Sequence, residues 1–121
     1  MIKGLRTVTY PAADLGRAKA WFADVFGVQP YFDQPFYVGF AVGGFELGLV
    51  PDGTQGTSGA TAFWGVDDIA AEVERIVGLG AAVHAPVQDV GEGIRVAELQ
   101  DPFGNVLGLI ENPLFDPAAV R

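Results

Sequence analysis

Apolar and polar positions alternate along this chain in short runs, shift twice to a helical period, and return each time to alternation. Leu5-Arg6-Thr7-Val8-Thr9-Tyr10 is a β-rich run that Pro11 ends. Asp14 stands where a helix N-cap belongs, and Leu15, Ala18, Trp21, Phe22, Val25 and Phe26 then recur every three or four residues. That period lays one apolar stripe along a helix. Gly27 follows as a residue suited to the left-handed conformation that closes a helix. Short β-runs come next at 29–33, 37–42 and 45–50, the last two joined by Gly43-Gly44, a two-residue hairpin signal.

The stretch 51–59, PDGTQGTSG, is rich in turn formers and divides the chain. After it the same order returns. A strand is expected at 60–66, and Asp67-Asp68 then caps a helix with Ile69, Val73, Ile76 and Val77 on one face. Gly78 and Gly80 end that helix, and 81–84 reads as a short strand. Gly91-Glu92-Gly93 turns into a strand at 94–100, and Asp101-Pro102-Phe103-Gly104 turns into another at 105–111. The caps Asp14 and Asp68 lie 54 residues apart, and the closing glycines Gly27 and Gly80 lie 53 apart. The fold class is therefore α+β: two tandem βαβββ modules forming a curved mixed sheet around a cleft. The organisation is a single domain over 1–121, with module one at 4–51, module two at 60–111 and a tail at 112–121. Two copies make a duplication, not a solenoid. A site on such a frame belongs to every second strand residue, on the face turned away from the helices.

Composition narrows the function classes. Half of the 121 residues are hydrophobic and 18% are charged, enough apolar material for a packed core. No apolar run approaches the ~18–20 residues of a membrane helix, and the N-terminus lacks the apolar stretch of a signal peptide, so a cytoplasmic protein without a membrane partner is expected. There is no cysteine, which excludes disulfides, thiolate metal sites and cysteine nucleophiles. Seven basic residues stand against fifteen acidic ones, a net charge of −8. The basic residues are scattered, so nucleic acid is not an expected partner. The negative field instead favours cationic ligands.

Several stretches resemble the vicinal oxygen chelate superfamily, which includes glyoxalase I, the bleomycin and fosfomycin resistance proteins and extradiol dioxygenases. The most specific is Asp101-Pro102-Phe103-Gly104-Asn105, continuing to Glu111, similar to that family's D-P-x-G-N final hairpin. Asp14-Leu15 through Trp21-Phe22 to Phe26-Gly27 resembles its first helix, and Val66-Asp67-Asp68-Ile69 its second helix start. The likeness covers about residues 5–111. It implies the paired-module fold, a homodimer, and in the family's enzymes one divalent metal held by His, Glu or Gln from inner strands. The resemblance carries those ligand positions onto Thr7, Glu46, Thr61 and Gly108, of which only Glu46 is a metal-binding type. No metal and no cofactor is therefore expected. The single histidine, His84, falls outside the ligand positions, and strand alternation turns Glu111 to the opposite face from Gly108.

Alternation assigns the inner face to Thr7, Thr9, Glu46 and Gly48 in module one. In module two it assigns Thr61, Phe63, Gly65, Val96, Glu98, Val106, Gly108 and Ile110. Tyr31, Phe32, Phe36 and Tyr37 cluster around a turn near 33–35, placed to wall a pocket mouth or a subunit contact. The candidate ligand-binding set is Thr7, Thr9, Tyr31, Tyr37, Glu46, Thr61, Phe63, Val96, Glu98 and Gly108. Glu46 and Glu98 are the candidate catalytic carboxylates. Three functions fit: a metal-free small-molecule binder similar to the drug-sequestering bleomycin or mitomycin resistance proteins, a glyoxalase-like lyase or isomerase with an atypical metal set or a carboxylate base, and an interaction module on a degenerate fold.

Overall fold

A computed structural model describes the chain from Met1 to Val120 apart from Ile2 and Gly4. The expected module-one boundary at Gly4 and the terminal Arg121 lie outside the described residues. The described residues form eight strands and two α-helices, divided into compact units Met1–Gln55 and Gly56–Arg121.

In the first unit β1 (Thr7–Pro11) leads into α1 (Leu15–Phe26), followed by β2 (Phe32–Gln34), β3 (Tyr37–Val42) and β4 (Phe45–Val50). The sheet order is β1-β4-β3-β2, with β1 parallel to β4 and the other pairs antiparallel. Asp14 caps α1 by accepting the Arg17 amide at 3.1 Å, and Gly27 closes it at φ +68°. α1 packs on β3 and β4. Its stripe buries Ala18, Phe22 and Val25 against Tyr10, Val38, Phe40, Leu47 and Leu49 from the sheet. Trp21 and Phe26, which share the helical spacing, are half-buried and flank Phe22 with ring centroids 4.9 and 6.2 Å away. Gly43 and Gly44 both take positive φ, as the two-residue turn between β3 and β4 requires.

The second unit repeats the plan. β5 (Phe63–Gly65), α2 (Ile69–Gly78), β6 (Ala82–Gly91), β7 (Ile94–Gln100) and β8 (Val106–Glu111) give the order β5-β8-β7-β6, again with the first and last strands parallel. Asp68 accepts the Ala71 amide at 3.1 Å, and the Glu111 carboxylate accepts the Ile69 amide at 3.0 Å. Glu111 thus points to the helix side, as alternation from Gly108 requires. Ile69 and Ile76 of α2 are buried, as are Ala97, Leu99, Val106, Leu107 and Leu109 among the strand residues.

Several boundaries differ from those read in the sequence. The second strand starts at Phe32 rather than at 29, because Pro30 has no amide to pair. The fifth strand is confined to 63–65, so Thr61 lies ahead of it, outside the paired ladder. The sixth strand runs on from 84 to 91. Pro86, which argues for a break, is tolerated because this is an edge strand, and the pairing register slips between Ala85 and Gln88 around it. His84 lies exposed on that edge.

Candidate functional site

The register of the first sheet arranges its helix-averted face in rows. Thr7, Glu46 and Ala41 form one row; Thr9, Gly48, Gly39 and Phe32 form the next; Val50, Tyr37 and Gln34 belong to the third. The middle row has two glycines side by side at its centre. A Cβ placed on Gly48 would fall 2.6 Å from Cζ of Tyr37, and one on Gly39 would fall 3.4 Å from ring carbons of both Tyr31 and Tyr37. The missing side chains make a trough. Tyr37 lies along it and crosses the middle row to reach Glu46 in the first.

Three hydroxyls converge on that carboxylate. Tyr37 donates to Oε2 at 2.6 Å, Thr7 donates to the same oxygen at 2.9 Å, and Tyr31 donates to Oε1. They come from β1, from β3 and from the segment just before β2, where the Tyr31 amide donates to the Gly39 carbonyl at 3.0 Å. Glu46 is half-buried, whereas Tyr31 is 64% exposed. Phe32 meets Tyr37 and Phe36 edge-to-face at 6.1 Å each, and Phe36 is 66% exposed, so an open aromatic wall runs beside the cluster.

Of the residues proposed from sequence, the structure therefore gathers Thr7, Tyr31, Tyr37 and Glu46 through hydrogen bonds. Thr9 shares their face beside Gly48. Phe63, Val96, Glu98 and Gly108 occupy the corresponding face of the second sheet, with Phe63 and Glu98 both opposite Gly108. Gly39 was not among the sequence candidates. Its signal was present, a glycine two residues after Tyr37 inside a strand, but only the pairing with Gly48 gives it meaning.

A model of the Glyoxalase/Bleomycin resistance protein/Dioxygenase superfamily matches residues 4–109. The chain belongs to that superfamily. Solved structures agree in fold. Lactoylglutathione lyase from Agrobacterium tumefaciens is 22% identical, with a TM-score of 0.77 over 95% of this chain and 98% of that one. Fosfomycin resistance protein FosX from Mesorhizobium loti is 22% identical, with a TM-score of 0.73 over 94% and 96%. TioX from Micromonospora sp. ML1 is 22% identical, with a TM-score of 0.71 over 89% and 98%. No curated protein matches the chain.

Membership in this superfamily raises the question of its metal, and the register shifts one assigned ligand position. Phe63 opposite Gly108 in the second sheet corresponds to Thr9 opposite Gly48 in the first, since Thr9 and Phe63 keep the 54-residue offset of the helix caps. The first-module counterpart of Gly108 is thus Gly48, and Glu46 lies one row away. Both counterparts are glycines roofed by an aromatic ring. A Cβ on Gly108 would fall 2.5 Å from the Ala62 carbonyl oxygen and 2.8 Å from Cδ1 of Phe63, and one on Gly48 would strike Tyr37. Thr7 and Thr61 complete the four positions and offer neutral hydroxyls. This donor set does not fit a divalent metal, and Glu46 is already engaged by three hydroxyls. Among the described residues no three His, Cys, Asp or Glu side chains gather as metal ligands, and no helix is long and apolar enough to cross a membrane.

Proposed function

We propose that this superfamily member is a small-molecule binder that works without a metal, and that its ligand seats on the module-one face around Glu46. The observation that carries the reading is the convergence of Thr7, Tyr31 and Tyr37 on one half-buried carboxylate, above two glycines that give the tyrosine rings room to lie against the strands. A half-buried carboxylate can be satisfied by water, so fixing it with side chains from three segments gives it a defined orientation instead. Preorganised polar groups beside an apolar, ring-lined surface are what a small-molecule site requires. A cationic or aromatic drug-like ligand suits the carboxylate, the open rings of Tyr31 and Phe36, and the net charge of −8. We assign the exposed Leu114 and Phe115 of the tail to homodimer formation.

The test is a thermal-denaturation screen with cationic, neutral and anionic aromatic compounds, on wild type and Glu46→Ala. Binding to the native state raises Tm because it stabilises that state by RT ln(1 + c/Kd) at free ligand concentration c, about 2.7 kcal/mol at a hundredfold excess over Kd. Compounds that stabilise wild type are expected to lose most of that effect in the variant. Equal shifts in both proteins place the ligand elsewhere, and no shift with any class removes the binder reading.

A further inference from the structure

The hydrogen-bond pattern around Glu46 specifies more than a negative charge. A tyrosine or threonine hydroxyl has one proton, and Thr7, Tyr31 and Tyr37 each direct theirs at the carboxylate. The carboxylate itself is acceptor-only. What the cluster presents outward is therefore the remaining lone pairs of three hydroxyl oxygens and the unfilled capacity of one carboxylate, with no donor among them. A ligand group that also only accepts, such as a carboxylate, a phosphate or an ether, would meet lone pairs with lone pairs. A quaternary ammonium would satisfy the charge but leave every acceptor unmatched.

We infer that the ligand group received at this face is a cation bearing several N–H donors, of the amidinium, guanidinium or primary ammonium class, attached to a planar apolar body. The inference rests on the binding function proposed above and names the chemistry of its ligand. Three further features agree. The remaining acceptor site on Oε1 and the outward lone pairs of the hydroxyls let a forked donor such as an amidinium address the cluster at two points. The glycine pair Gly39 and Gly48 lets the two tyrosine rings and the Glu46 carboxylate lie close against the strands, which fixes the cluster in place. The exposed Tyr31 ring offers a face on which a flat cation or its aromatic body stacks.

Three probes of similar size separate the elements of this statement. Benzamidinium carries the charge and the donors, benzyltrimethylammonium carries the charge alone, and benzamide carries donors without charge. Binding is read by amide chemical-shift perturbation on the full chain, which yields both Kd and location. Benzamidinium is expected to shift the amides of Tyr31, Tyr37, Gly39, Glu46 and Gly48, and to bind at least tenfold more tightly than either comparison probe, which is about 1.4 kcal/mol. Glu46→Gln supplies the control for donor polarity. The amide is nearly isosteric but contributes an NH2 group, so the hydroxyls can turn outward as donors. Its benzamidinium affinity is expected to fall tenfold or more, while benzamide gains relative to benzamidinium. If all three probes bind this face within threefold of one another, or Glu46→Gln leaves benzamidinium unchanged, the donor-cation inference is overturned while binding at the face survives. If none of the probes perturbs these amides, the proposed site itself is refuted along with it.

Discussion

At the scale of single residues, the informative positions are those where a side chain is missing. Gly48 stands inside a strand, where glycine weakens a sheet relative to a residue with a side chain. Its role is spatial, because the Tyr37 ring occupies the volume a Cβ would need. Gly48→Ala is therefore expected to destabilise the protein by about 1–3 kcal/mol, the usual cost of overpacking. The cost should depend on Tyr37. In a Tyr37→Ala background the same substitution no longer meets the ring, and its penalty should drop to a few tenths of a kcal/mol at most. Denaturant unfolding of the four proteins in this cycle gives the coupling directly. A penalty that persists without the ring would mean that backbone, not Tyr37, sets the requirement at Gly48.

At the scale of elements, the turn between β7 and β8 shows how a short motif is held. Asp101 is 4% exposed, and its Oδ1 accepts the amides of Phe103 and Asn105 at 2.9 Å each, while its own amide donates to the Asn105 carbonyl at 2.8 Å. Its Oδ2 is buried without a hydrogen-bond partner. Burial pushes the carboxyl above its ordinary value of 3.8, against the opposing effect of hydrogen bonds from Asn105, Phe103 and Gly104. The native state then holds this proton more tightly than the unfolded chain, so the carboxyl's contribution to stability declines as pH rises above 3.8 through the elevated value. Asp101→Asn keeps the Oδ1 acceptor and cannot ionise. Its stability relative to wild type is expected to increase from about pH 4 toward neutrality, whereas Asp101→Ala, which orphans two amides and cannot ionise either, should lie about 1–3 kcal/mol below Asp101→Asn at every pH. A pH-independent difference between wild type and Asp101→Asn would show that the carboxyl titrates normally.

This element scale is also where the sequence was most legible. Caps at Asp14 and Asp68, the closing Gly27 and the Gly43-Gly44 turn are local signals, and each element they bound is present. The sixth strand extends to Gly91, past the expected 81–84, and Pro86 within it carries the same local signal whether a strand is central or at an edge; only the sheet order decides which. The site was half legible for a related reason. Alternation along single strands assigns Thr7, Glu46 and Gly48 to one face, but which of them are neighbours depends on inter-strand register. The rows in which Tyr37 crosses Gly48 to reach Glu46, and the correspondence of Gly48 with Gly108, exist only once the strands are paired.

At the scale of the whole molecule, charge is unevenly distributed. Ten of the fifteen acidic residues and three of the seven basic ones follow residue 55, so most of the −8 belongs to the second half of the chain. The field of the whole protein and the hydrogen bonds at Glu46 should therefore respond differently to salt. Mobile ions shorten the Debye length from about 30 Å at 0.01 M to about 3 Å at 1 M, which screens distant carboxylates and leaves contacts at hydrogen-bond distance largely intact. Raising the salt over that range is expected to weaken benzamidinium and benzyltrimethylammonium alike, by about threefold to tenfold, because both carry one positive charge in the same field. Benzamide, being neutral, should be unaffected. The ratio between the two cations should stay constant within about twofold, since the donors that distinguish them act only at contact with Glu46, Tyr31, Tyr37 and Thr7. A ratio that collapses in high salt would assign the preference to long-range electrostatics and leave the hydroxyl-bound carboxylate without a part in selecting the ligand.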